Sequence, residues 1–249
     1  MGLDTIVFYG TAAAAMNALA PTTAVIKGNE GDAFIVGYES LAGTDNVTIT
    51  LTCPGDPRWE PAGVRLNPGS ADAAQAGCPY ATKWLETKIP IKAGATLVAT
   101  QDGADDNYLA VHVEYTQYGD GFRPRVAGEQ PVAHQVTKTF TAAGAVTAFT
   151  ISVNADNDNS FIRGREYTPV SIANSGAMTT PFFVGIQNTK TTLTTYWLVP
   201  LTPIVSGTMN HKSLPYGLST VSGGETQFVN MLSTTADTPV AYINYAYHA

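Results

Sequence analysis

Few residues in this chain could do chemistry, and their spacing limits what that chemistry could be. The run NADNDNSF (154–161) sets Asp156 and Asp158 on alternate positions beside Asn154 and Asn157. Hard oxygen donors at that spacing suit calcium. The glycine and bidentate glutamate of a full calcium loop are missing, and Asn/Asp clusters make turns unaided. Asp156 and Asp158 are therefore weak calcium candidates, and no metal is expected. Cys53 and Cys78, each followed by proline, bound the loop CPGDPRWEPAGVRLNPGSADAAQAGCP. A disulfide there would close about 25 residues and add roughly 3 kcal/mol. Two unpaired, partly buried thiols are the alternative, and the sequence leaves both open. Neither His112 nor His134 has ligand spacing to these sulfurs, so they do not read as a zinc site.

Nucleophilic and acid–base chemistry fare no better. His112, His134, His211 and His248 are scattered, with no Gly-x-Ser-x-Gly elbow, no HExxH and no phosphate-binding glycine loop. Glu114 with Asp102 or Asp105 could supply the two carboxylates of a glycosidase. A chain with 20 acidic residues offers such pairs by number alone. No enzyme and no cofactor are expected. Trp59, in DPRWEPAG, could stack on a sugar ring or serve as an outer-loop contact to a neighbouring molecule. Trp84 and Trp197 lie in strand-like runs and read as core.

The elements that must position these residues are strands. AFIVGYES (33–40), NVTITLTC (46–53), TLVATQ (96–101), YLAVHVEYTQY (108–118), TPFFVGIQN (180–188) and PVAYINYAYH (239–248) are rich in Val, Ile, Thr, Tyr and Phe. Turn residues break them at the intervals usual in sandwiches and barrels. Helix candidates are the Ala-rich segment 11–20 and SADAAQAG, with Ser70 as N-cap and Gly77 as stop. Long insertions are expected at 53–81 and 200–217, and loops of such length are usually functional.

The chain repeats itself. Shifting NYLAVHVEYTQYGDG (107–121) by 130 residues lays it on the terminal PVAYINYAYHA (239–249), placing Val111 on Ala241, Val113 on Ile243 and Tyr115 on Tyr245. Identities are sparse, but the apolar odd rows keep the same phase, as an even shift requires. His112 and His248 then fall on the even rows, expected to face away from the buried side. The organisation that follows is an N-terminal arm or short helix (1–21), a first β-sandwich (22–120), a linker (121–131) and a second β-sandwich (132–249).

Composition narrows the function classes. Charged residues are 13% of the chain, well under the usual quarter, while hydrophobic residues reach 44%. Net charge is −7 and no Lys/Arg-rich arm exists, so no direct nucleic-acid contact is expected. No apolar run is long enough to span a bilayer. The segment MGLDTIVFYGTAAAAMNALAP lacks a positive n-region and carries Asp4, so it reads as a retained arm and not as a signal peptide.

Two like β-sandwich halves in series, matching final strands, long loops at 54–81 and 200–217 and sparse charge resemble the double jelly-roll major capsid proteins. That family belongs to membrane-containing icosahedral viruses and the adenovirus-hexon lineage. The resemblance implies an all-β fold of two tandem jelly rolls with an N-terminal arm. It implies homotrimers that act as pseudo-hexamers in an icosahedral capsid lattice, alongside other capsid proteins. It also implies location in the virion, after assembly in the host cytoplasm. Contact with an internal viral membrane would come through the arm, at Val7, Phe8 and Tyr9. A tandem β-sandwich carbohydrate- or receptor-binding protein, whether lectin-like, adhesin or viral spike, is the alternative. An exposed aromatic groove at Trp59 would mark it.

Overall fold

The computed structural model describes residues 2–27, 33–42, 47–66, 69–70, 81–104 and 106–115, and in the second half the strands and Leu193. Strands are the regular elements among these residues, and no helix occurs among them. The chain divides into two compact units, Leu3–Tyr118 and one built on Gly119–Ala249.

The first unit begins with a correction. In place of an arm or short helix, the chain opens with β1 (Gly2–Gly10) and β2 (Asn17–Ala20). The reason is in the residues. Thr5, Ile6, Val7, Phe8 and Tyr9 are β-branched or aromatic and favour a pleated, buried surface. Val7 is 0% and Phe8 2% exposed, so both are core residues. Tyr9 is half-buried, donates its hydroxyl to Asp106 and stacks at a tilt on Tyr108. The Ala-rich stretch after it is too short to hold a helix alone. It gives its backbone to another strand instead, with Met16 N donating to Ala99 O and Gln101 N to Ala14 O.

The remaining strands of this unit are β3 (Ala33–Ala42), β4 (Ile49–Thr52), β5 (Val64–Leu66), β6 (Gly69–Ser70), β7 (Ala81–Ile91), β8 (Val98–Gln101) and β9 (Asn107–Tyr115). One sheet has the order β2-β1-β9-β3-β6, with β7 also pairing β3. The other is β5-β4-β8. Residues 14–16 and 24–26 run along the far edge of β8 and the backbone before it. Ser70, expected to cap a helix, is in β6, while 71–80 lies outside the described residues. The two sheets close on each other through the odd row of β9. Tyr115 carries its hydroxyl across to the Lys27 amide, and Asn107 donates to Gln101 of β8. Leu109, Val111 and Val113 on the same row are fully buried, as are Ile49, Leu51, Leu97 and Ala99 of the second sheet and the backbone before β8.

The second unit comprises β10 (Val132–Thr139), β11 (Thr147–Ile151), β12 (Glu166–Asn174), β13 (Phe182–Gln187), β14 (Thr194–Val199), β15 (Asn210–Ser213), β16 (Val221–Ser222), β17 (Gln227–Ser233) and β18 (Val240–His248). Its sheets are β10-β18-β12-β15, with β16 pairing β12, and β11-β17-β13-β14. Trp197 and Phe183 are buried at 0% and 1% exposure. Gly185 pairs with Tyr196, whose ring covers it, so a Cβ at Gly185 would enter the ring.

The two units are wired alike. The order β10-β18-β12-β15 corresponds to β1-β9-β3-β7, and β11-β17-β13-β14 corresponds to the edge stretches 14–16 and 24–26 followed by β8-β4-β5. A shift of 130 residues lays β1, β2, β3, β5, β8 and β9 over β10, β11, β12, β14, β17 and β18. One departure is local. β11 pairs with β17, whereas β2 pairs with β1 and the flanking residues take the place beside β8.

Candidate functional site

The most elaborated surface among the described residues is the corner that follows β4. Pro54, Pro57 and Pro61 restrict its backbone, and three turns succeed one another. Asp56 N donates to Cys53 O at 3.0 Å, Trp59 N to Asp56 O at 3.1 Å and Gly63 N to Glu60 O at 2.9 Å. Gly63 closes the loop at φ 66°, where a Cβ would run into the Leu51 carbonyl. Only glycine takes that conformation against that neighbour without strain.

Asp56 holds the corner together. Its carboxylate is buried and accepts from Arg58 N (3.0 Å), Arg58 Nε (2.9 Å), Arg58 Nη2 (2.8 Å) and Lys92 N (2.6 Å). Hydrogen bonds from the Arg58 side chain outweigh the cost of burial and lower its pKa to about 2. The loop and the residue that follows β7 are thereby fastened to one anion. Trp59 adds a second fastening, its indole N–H donating to Pro90 O at 2.9 Å. Arg58, Trp59, Glu60, Val64, Ile89 and Pro90 line a shallow groove of about 210 Å³.

A second polar group lies inside the first unit. The Thr5 hydroxyl and His112 Nδ1 share a hydrogen bond of 2.9 Å, and His112 Nε2 is 3.7 Å from Glu39 Oε1. The three side chains come from adjacent strands β1, β9 and β3, in an order reminiscent of a nucleophile, base and acid. Exposure decides against that chemistry, because Thr5, His112 and Glu39 are each 0% exposed. A substrate has no path to the hydroxyl, and 3.7 Å is beyond hydrogen-bonding range. The expectation that His112 faces away from the buried side is corrected. All nine residues of β9 are buried, so its even row is closed from water as well. The pairing of Glu114 with Asp102 also dissolves, while Asp105 lies outside the described residues. Glu114 bonds Lys88 near one end of β9, while Asp102 accepts from the Thr48 amide, before its other end. Asn107 and Glu114, seven residues apart on that strand, are already separated by about 23 Å.

The other expected residues fall as follows. Trp59 is half-buried at the groove. Cys53 is 2% exposed and its thiol is free; Cys78 lies outside the described residues, as do Asp156 and Asp158. Burial pushes the Cys53 thiol above its ordinary pKa, and the Asp56 charge adds to this. A Cys78→Ser variant is expected to resist thiol reagents at neutral pH and to react fully once denatured. Rapid labelling of the native variant would contradict the burial of Cys53. The sequence reading missed Asp56, whose only signal is its place in a proline-punctuated loop, two residues before an arginine.

The fold and corner define an all-β protein of two like-wired units, with no cluster of three or more His, Cys, Asp or Glu that could hold a metal ion among the described residues. No protein-family profile matches the sequence, and no curated protein matches it. Among solved structures, one of T=1 Penaeus vannamei nodavirus aligns over 100% of this chain and 99% of its own, at 11% identity and a TM-score of 0.26. A structure of infectious bursal disease virus, Gx strain, aligns over 98% of this chain and 69% of its own, at 8% identity and a TM-score of 0.22. Overlays of that quality do not define a common fold.

Proposed function

We propose that this chain is a structural viral capsid protein, built as two tandem jelly rolls and assembling as trimers into an icosahedral shell. The observation that carries the reading is the shared wiring of the two units, β1-β9-β3-β7 corresponding to β10-β18-β12-β15 and the edge stretches 14–16 and 24–26 with β8-β4-β5 corresponding to β11-β17-β13-β14. Two sheets per unit in this long-range order support the jelly-roll reading, a fold usually built of eight strands. Fusing two such bodies lets three chains present six lateral faces and close a ring. The protein then belongs in the virion, with copies of itself and other capsid proteins as partners, and its work is assembly and not catalysis.

The chemistry of the contacts follows from the surface. Charged residues are 13% of the sequence, and Val25 is the exposed large hydrophobic among the described residues. Lateral contacts would therefore rest on uncharged hydrogen-bonding groups packed closely over large areas. Val7 and Phe8 take no part in membrane contact, since both side chains are in the core. Stretches 54–81 and 200–217 would form the outer projections. Size-exclusion chromatography with light scattering is expected to give three times the 26.2 kDa chain mass. A monomer persisting at every accessible concentration would end the reading.

A further inference from the structure

We propose that the groove beside Trp59 is a binding site for a single neutral pyranose ring, as a free glycoside or as the end of a glycan. Trp59 is held at two points, its backbone amide on Asp56 O at 3.1 Å and its indole N–H on Pro90 O at 2.9 Å. The polar tip of the ring is thus already satisfied, and what the side chain offers a ligand is its flat face. Val64, Ile89 and Pro90 continue that face as an apolar floor. The C–H face of a sugar is the complementary surface, since the electron-rich aromatic face attracts weakly positive hydrogens.

The rim chooses among ligands. Arg58 and Glu60 border the floor with opposite charges, and Asp56 fixes the Arg58 guanidinium through Nε and Nη2. A donor and an acceptor bordering one apolar groove match adjacent hydroxyls and favour no net charge. Size agrees. At about 210 Å³ the groove is below the roughly 300 Å³ at which drug-sized pockets begin, which leaves room for one ring. An extended peptide is disfavoured by the same atoms. To add a strand it would need the backbone of β7 at this corner, yet Pro90 has no N–H, its carbonyl is taken by Trp59, and Lys92 N is bound to Asp56. Because both fastenings are made by the chain's own backbone, little ordering of Trp59 is left to oppose binding.

The site is independent of the assembly reading, because trimer mass and sugar binding are measured separately. The intact protein would be titrated with methyl glycosides of glucose, galactose, mannose and N-acetylglucosamine, followed by saturation-transfer NMR and tryptophan fluorescence. At least one should bind saturably with a dissociation constant on the order of millimolar. Trp59→Ala should weaken it about tenfold or more, and Trp59→Phe, which keeps a stacking face, should retain the larger share. Glu60→Ala, at an exposed position, should weaken it several-fold with an unchanged melting temperature, so a loss there is not a folding defect. Oligosaccharides ending in the preferred ring separate the two sources: tighter binding than the monosaccharide marks a glycan end, and equal binding a free sugar. The proposal is overturned if no glycoside saturates, if Trp59→Ala binds as well as wild type, or if a proline-rich peptide displaces the sugar at micromolar concentration.

Discussion

Deleting residues 2–10 is expected to unfold the first unit, not to trim it. β1 lies between β2 and β9, and Thr5, Ile6, Val7 and Phe8 are exposed by 2% or less. Phe8→Ala alone should cost about 3–5 kcal/mol, the usual loss for a fully buried aromatic ring. Removing the whole strand forfeits several such side chains and strips the ladder from one side of β9. That total exceeds the 5–15 kcal/mol by which a domain is ordinarily stable. Denaturant unfolding should show a lower midpoint for Phe8→Ala, and the deletion should abolish the cooperative transition of this unit. If the deleted protein melted like the full chain, the segment would be an arm after all and its strand assignment wrong.

The second large effect concerns Asp56. Asp56→Ala takes the acceptor from Arg58 N, Nε and Nη2 and from Lys92 N at once, with an expected cost of about 3 kcal/mol. The charge itself can be read from pH. The folded pKa is about 2 against an ordinary 3.8, so the ionised carboxylate stabilises the fold above 3.8. That contribution drains away as pH falls from 3.8 through 2, because the folded state then takes up the proton last. Its size is on the order of 1–2 kcal/mol, at the lower end because Arg58 is 45% exposed and partly screened by water. Asp56→Asn should therefore be less stable than wild type at pH 7, with the gap narrowing steadily below pH 4. A gap that held constant down to pH 2 would remove the charge from the account.

How much of this was legible beforehand can be argued strand by strand. The odd row Leu109, Val111, Val113 and Tyr115 is apolar without interruption, and the structure packs it between two sheets. Its even row misled, because Tyr108, Ala110, His112 and Glu114 look like a solvent face, yet all four are buried. A strand closed on both faces must find partners for its polar groups inside the fold, as His112 Nδ1 does at Thr5 and Glu114 Oε2 at Lys88, and alternation alone does not reveal that. The N-terminal misreading has a similar source. Four alanines suggest helix, but neighbouring backbone competes for the same amides, and that competition is tertiary. β5 and β15 were hidden in supposed loops because three or four residues carry too little pattern to register. At the corner, Trp59 stood out as a large aromatic in a loop. Asp56, which fixes its position, resembles any turn aspartate until its partners at Arg58 and Lys92 are seen.

In each unit the strand made first lies next to the strand made last, β1 beside β9 and β10 beside β18. A nascent polypeptide therefore cannot seal either body until its closing segment has left the ribosome, so both fold late relative to their own synthesis. The earlier body can still be sealed while the later one is being translated. That timing keeps apart two sets of β-segments whose equivalent registers would otherwise invite exchange between halves, a common failure of tandem architectures.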